Sequence, residues 1–236
     1  MNDQKKEITY RKKLFHEVVG KELKRRGFKR RESIYYKVID GDILQIAGYG
    51  CGSERSYSLG YDILPLYASH FMLNVECGNR LKDFAGINFT TRKTMAFEEE
   101  VKQFCDMLFP TFESVIDSES LMKYCKKHKG LIESHIYVDI RCGNFSSAIS
   151  KISSFYKDRM EFEKEKYENG VYNDIEYKES IEFWNDMYSQ KLELMGAMKS
   201  KNQQKVDFIL NSNRAYNKNI LEERYKFDLQ QVKLEA

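Results

Sequence analysis

The run Leu23-Lys24-Arg25-Arg26-Gly27-Phe28-Lys29-Arg30-Arg31, continued by Ser33-Ile34-Tyr35-Tyr36-Lys37-Val38-Ile39, Asp40-Gly41 and Ile43-Leu44-Gln45-Ile46-Ala47-Gly48-Tyr49, holds the change of period on which the fold turns. Upstream of it, Phe15, Val19 and Leu23 recur every four residues, with Leu14 and Val18 beside them and Arg11, Lys12, Lys21 and Arg25 on other faces. That is the pattern of an amphipathic helix over residues 8–26, and Gly27 ends it. Downstream, Ser33–Ile39 is β-branched and aromatic, Asp40-Gly41 is a type I′ turn pair, and Ile43–Tyr49 returns as the second strand of a hairpin.

Working outward, Tyr57, Leu59, Tyr61 and Ile63 alternate with polar or small residues until Pro65, as a strand with one buried and one wet face does. Phe71, Leu73, Val75 and Cys77 alternate again, and Ile87 and Phe89 make a shorter repeat. The pattern predicts four or five antiparallel strands over about residues 33–91. The period then becomes helical. Phe97, Val101, Phe104, Cys105 and Leu108 share one face, Thr94 is placed to cap, and Pro110 is expected to terminate the helix. Asp117 can cap a helix over Ser118–Lys129, with Gly130 just past its end. Further helices are predicted at about 131–141, 147–168, 175–199, 203–211 and 215–232. The fold class is therefore α+β: an antiparallel sheet of four to five strands with flanking helices over residues 1–118, then an all-helical unit, residues 119–236, packed against it. A weak repeat runs through the helical unit. Ile140, Ala148 and Ile152 around Cys142-Gly143-Asn144-Phe145 have the spacing of Met198, Val206 and Leu210 around Ser200-Lys201-Asn202-Gln203, at an offset of 58 residues. Stacked helical hairpins repeat in this way, and so does any pair of antiparallel helices.

The order of a helix, a Gly27-Phe28-Lys29-Arg30 turn and an aromatic hairpin with Gln45 on its second strand resembles a bacterial domain-of-unknown-function family. Phe104–Pro110 and Asp117–Leu121 match that family's succession of helix, proline and acid-capped helix, so the likeness covers about residues 1–125. The resemblance implies an α+β fold and a bacterial source, and brings no activity, cofactor or functional residue. Gly48-Tyr49-Gly50-Cys51-Gly52 departs from the plainer strand end of the family.

The chain of 236 residues has a net charge of +3, 42% hydrophobic residues and only 2 prolines, which excludes a low-complexity or strongly polyanion-binding protein. Charge is uneven, however: residues 1–31 carry 12 basic and 4 acidic side chains. The N-terminus lacks the apolar stretch of an export signal, no apolar run is long enough to span a bilayer, and Cys51, Cys77, Cys105, Cys125 and Cys142 are odd in number and scattered. A cytoplasmic protein with reduced thiols, off the membrane, is expected.

No arrangement defines a catalytic, cofactor or metal site. Lys24-Arg25-Arg26 and Lys29-Arg30-Arg31, with Tyr35 and Tyr36 near for stacking, fit nucleic acid, and equally a solvated helix end. Cys125, His128, His135 and Cys142 are zinc-type donors at spacings no compact zinc module uses. The glycines at 48, 50 and 52 lack the Lys-Ser/Thr of a phosphate loop and are expected in a loop between strands. His16, His70, His128 and His135 belong to no triad motif, and Glu98-Glu99-Glu100 and the glutamates of 161–168 are expected on solvated helix faces. The stripe of Ile181, Phe183, Trp184, Met187 and Tyr188 is expected in a core, a partner groove being the alternative. The leading expectation is a non-enzymatic module that binds another protein, in the style of an immunity factor or adaptor. The opposing one is an enzyme or small-ligand binder with a pocket between sheet and helices, drawing on Tyr49, Tyr57, Asp62 or Glu76.

Overall fold

The computed structural model describes residues 3–53, 56–69, 96–127 and 132–229. Thr94, Gly130 and the strands expected around Phe71–Cys77 and Ile87–Phe89 lie outside them. The protein is α+β: a four-stranded antiparallel sheet among the described residues, then a stack of helices. Helix α1 (Asp3–Phe15) passes through a π-helical turn (His16–Gly20) into α2 (Lys21–Arg25), so one helical rod carries the predicted apolar face and buries Phe15, Val19 and Leu23 completely. The sheet follows in sequence order, β1 (Lys29–Arg31), β2 (Ile34–Ile39), β3 (Ile43–Ser53) and β4 (Ser56–Pro65).

The Asp40-Gly41 turn forms as expected. Both residues have positive φ, 50° and 69°, and the Asp42 N–H donates to the Ile39 carbonyl at 3.1 Å. Strand β1 was not predicted, because three consecutive cations show no alternation and the turn after it is made by Glu32 at φ 53° rather than by glycine. The glycines at 48, 50 and 52 correct another expectation: they lie inside β3, which runs on to Ser53. Gly48 pairs with Gly60 and Gly50 with Ser58, and a Cβ on Gly50 would stand 2.8 Å from the Ser58 hydroxyl. These glycines let two strands meet closely.

Both faces of the sheet are covered. On one, Tyr35, Ile43, Ala47, Tyr49, Leu59, Tyr61 and Ile63 pack on the α1–α2 rod and on α3 (Phe97–Ser114). Gln45, buried on this face, donates to the carbonyls of Phe112 and Val115 at 2.8 and 2.9 Å, satisfying groups that the end of α3 leaves open. Pro110 does not end α3. The helix continues one further turn because Phe112 and Val115 are drawn into the core, and the Thr111 hydroxyl bonds the Met107 carbonyl. On the opposite face, Tyr36, Leu44, Ile46, Leu64 and Leu66 meet Leu221 and Phe227.

The helical half comprises α4 (Ser118–Lys127), α5 (Ile132–Arg141), α6 (Phe145–Glu168), α7 (Asp174–Lys199) and α8 (Gln203–Glu223), each packed on the next. The Asp117 side chain caps α4 through the Ser120 N–H at 2.8 Å. Three helix ends close alike. The N–H of Asn144, Val171 and Asn202 reaches back five residues, to the carbonyls of Asp139, Lys166 and Ala197, while Gly143, Gly170 and Lys201 take positive φ. This is the left-handed helix-end motif, and Gly27 closes α2 in the same way, so its occurrence at 143 and 201 does not by itself mark a repeat. Ile140, Ala148, Ile152, Met198, Val206 and Leu210 are all buried.

Helix α8 corrects the predicted break near residue 212. Asn213, which falls in that break, and Asn217 donate to the backbone after β4: Asn213 to the Tyr67 carbonyl at 3.2 Å, Asn217 to those of Leu66 and Ala68 at 2.7 and 2.8 Å. Helix α8 ends at Glu223 rather than running to 232, and the chain then crosses the sheet. There Phe227 stacks on Tyr36, with centroids 4.1 Å apart, and the Asp228 N–H donates to the Tyr36 hydroxyl at 2.8 Å. Buried Asp42 ties Arg141 and Arg214 to the hairpin, each at 2.8 Å.

Candidate functional site

Helices α6 and α7 are the longest in the chain as described, and their far halves leave the body. From Ser153 to Gln190 only Glu163 is buried. At 1.5 Å per residue the free part of α6 is roughly 24 Å long, so the two helices form a projecting arm. The sequence builds it deliberately. Asn173 caps α7 with its side chain while Glu176 returns a bond to the Asn173 N–H at 2.9 Å, a reciprocal capping box that starts the second helix immediately after the turn.

Polar chemistry, not an apolar core, holds the arm together. The Glu163 carboxylate accepts from the Ser180 hydroxyl at 2.9 Å and meets Arg159 and Lys166 at 3.3 and 3.6 Å. Its burial disfavours charge, yet the hydroxyls of Ser180 and Tyr172 and the two cations outweigh that and hold the carboxyl below its usual range. Arg159 also lies over the Trp184 ring at 3.8 Å, Tyr156 donates to Asn185 at 2.7 Å, and Tyr167 stacks on Tyr177 at 4.6 Å. The expectation that the glutamates of this segment are all solvated is thus wrong for Glu163, as it is for Glu100, which is 1% exposed and accepts from the Tyr57 hydroxyl.

The outer faces of the arm carry apolar side chains in water. Phe162, Val171, Ile175 and Phe183 are exposed, Phe183 to 55%, and Met187 sits one turn from Phe183 on the same helix face. This corrects the predicted core packing of the Phe183–Met187 stripe: Trp184 turns inward onto α6, while Phe183 and Met187 do not. The same segment, residues 153–190, carries 10 acidic and 5 basic side chains, so its apolar patches sit in a negative field. The flanking charge, not the periodicity, carried the signal: a stripe beside Glu179, Glu182 and Asp186 is too acidic for a core.

The other expected groupings separate. Tyr49 and Tyr57 lie on the face of the sheet against α1 and α3, whereas Asp62 pairs with Ile46 on the opposite face, so the strand alternation keeps them apart. Glu76 lies outside the described residues. Burial drives the Asp62 carboxyl well above its usual range; Oδ1 accepts from the Ile63 N–H, and Oδ2 has no hydrogen-bond partner among the described residues. Tyr35 and Tyr36 are 1% and 4% exposed, so neither can stack on a base. Of the cationic cluster, Arg25 and Arg26 pair with Glu22, and Lys29 with Asp228 at 2.7 Å. Cys125 is buried and its thiol is pushed up to about 12 by burial, Cys142 bonds the Ser118 carbonyl, and His128 lies outside the described residues. Among the described residues no three or more His, Cys, Asp or Glu side chains gather as a metal site. A 390 Å³ open cleft between α3 and α4 is lined by Thr111, Ser114, Ser120, Lys123 and Lys127, and all three hydroxyls already donate within the chain.

Among the described residues no helix is long and apolar enough to cross a membrane. Compared with protein-family models, curated proteins and solved structures, the chain matches none.

Proposed function

We propose that this protein is a non-enzymatic interaction module, an adaptor of the cytoplasm, whose α6–α7 arm docks a protein partner presenting a basic surface with an apolar centre. One observation carries the reading: of 38 consecutive residues, Ser153–Gln190, only Glu163 is buried, and it is buried against the arm's own Arg159, Lys166 and Ser180, while Phe162, Ile175 and Phe183 stand in water. Exposing large apolar side chains on a structured arm is unfavourable unless a partner covers them, and aromatic anchors supply most of the energy of such contacts. The acidic balance of the arm selects a basic partner and speeds encounter. The sheet offers no comparable surface, since both of its faces are covered.

The test is co-purification from the native cell extract, comparing the wild-type chain with the double variant Phe183→Ser/Met187→Ser and with Glu179→Lys/Glu182→Lys. The reading expects a stoichiometric basic partner that the first variant loses and the second binds more weakly, with reduced salt sensitivity. Retention of the same partner by both variants at wild-type levels would sink it.

A further inference from the structure

The π-helical turn and β1 bring together a second cluster that the arm does not involve. His16 lies at the start of the turn, half-buried, with its ring edge-on to Phe15 and to Tyr35. Its Nδ1 is 2.9 Å from the Tyr35 hydroxyl, and its Nε2 is 3.1 Å from an Arg30 guanidinium nitrogen. Arginine can only donate, so Nε2 is the unprotonated nitrogen and Nδ1–H donates to Tyr35. Gly20 makes room for this: a Cβ there would stand 2.0 Å from the Tyr35 oxygen, so a side chain at residue 20 would expel the tyrosine that orients the imidazole. π-turns of this kind concentrate at functional sites.

Among the described residues the cluster has no carboxylate in contact. There Arg30 bonds neutral groups, the Glu32 carbonyl at 2.7 Å and His16. Lys12, one turn before His16 on the same face, and Lys24 are exposed, and among the described residues neither has a carboxylate partner. The neighbouring carboxylates face other cations, Glu17 with Lys13 at 3.7 Å, Glu22 with Arg25 and Arg26, and the exposed Glu32 with Arg31 at 4.0 Å. We propose that the surface cluster of His16, Arg30, Lys12 and Lys24 binds a phosphate ester group. Three cations around one neutral imidazole repel one another until an anion enters, and a guanidinium held in place by the His16 Nε2 lone pair and the Glu32 carbonyl suits phosphate oxygens with its remaining N–H groups. The groups facing the imidazole are Lys12 and Lys24 from the helical rod, Arg30 from β1 and Tyr35 from β2; partial burial, then Arg30, Lys12 and Lys24, lower the His16 pKa to about 4. A bound phosphate reverses the cationic part of that effect, so binding and His16 protonation favour each other. Because Tyr35 and Tyr36 are buried, recognition falls on the phosphate rather than on a base. The group can come from a nucleic-acid backbone or from a small phosphorylated molecule.

The experiment is NMR of the His16 ring in the full chain, titrated separately with inorganic phosphate, adenosine 5′-monophosphate and a short oligouridylate. The His16 resonances should move and saturate, its titration midpoint should rise from about 4, and Arg30→Gln and Lys12→Gln should each weaken binding about tenfold. Lys12 is an exposed helix residue, so its variant leaves the fold intact. Tighter binding of the oligonucleotide, with a steep salt dependence, assigns the source to nucleic acid; equal binding of the monophosphate assigns it to a small ligand. An unmoved His16 ring, or unchanged affinity in both variants, overturns the proposal and leaves the arm reading untouched.

Discussion

The sheet and the arm solve the same problem in opposite ways. Ile43–Tyr49 and Ser58–Ala68 are buried without a break, covered by α1 and α3 on one face and by α8 and the C-terminal strap on the other. The arm between Ser153 and Gln190 buries only Glu163. In the sheet, apolar area removed from water dominates, and polar groups such as Gln45 and Asn217 are admitted because they close backbone bonds. In the arm, helix caps, ion pairs and ring contacts along one seam hold two helices together, which costs little to leave exposed and leaves the outer faces available. The contrast teaches that burial marks what holds this protein together, and exposure marks what it presents.

The contrast predicts a ranking of effects. Phe15→Ala removes a fully buried ring that touches Tyr35, Tyr49 and Phe104, and should cost about 3–5 kcal/mol in urea unfolding. A loss below about 1 kcal/mol would mean that the sheet core is not the seat of stability. Asn217→Ala strands the Leu66 and Ala68 carbonyls, and should cost about 1–3 kcal/mol by the same assay. Acid should weaken the sheet unit through His16. Its folded pKa, about 4, lies below the ordinary 6.5, so the unfolded chain takes up the proton first. Stability is complete above about pH 6.5 and falls as pH drops towards 4, by about 1–2 kcal/mol after allowance for partial exposure; unfolding of His16→Gln across that range should be flatter. Phe183→Ala in the arm should shift stability by no more than about 0.5 kcal/mol while reducing partner capture. Hydrogen exchange sharpens the comparison: Glu163→Ala should speed exchange within residues 156–188 and leave β3 and β4 unchanged.

The hairpin from Ile34 to Tyr49 and the strand at Tyr57–Ile63 were legible because alternation and the Asp40-Gly41 pair are local signals. The rod burying Phe15, Val19 and Leu23 was legible from a spacing of four. The spacing at offset 58 was visible in Ile140, Ala148, Ile152, Met198, Val206 and Leu210, and all six are buried. The misses share a cause. Pro110 and the break expected around Asn213 are overridden by tertiary partners: the core around Phe112 and Val115 for the first, the Tyr67 carbonyl for the second. The Phe183–Met187 stripe has helical spacing, and spacing states that a face exists without stating what covers it.

By itself the sequence determined the local terms: which segments are helix or strand, where the I′ turn falls, that the fold is α+β and that charge gathers at residues 1–31. Those follow from backbone sterics and from the period of apolar residues, which neighbours in the chain specify. Only the tertiary structure decided that α6 and α7 project, that Phe227 and Asp228 return to Tyr36, and that Arg30 reaches His16. These depend on contacts between residues far apart in sequence, such as the 192 positions separating Asp228 from Tyr36, and no local pattern records which distant face a side chain will meet.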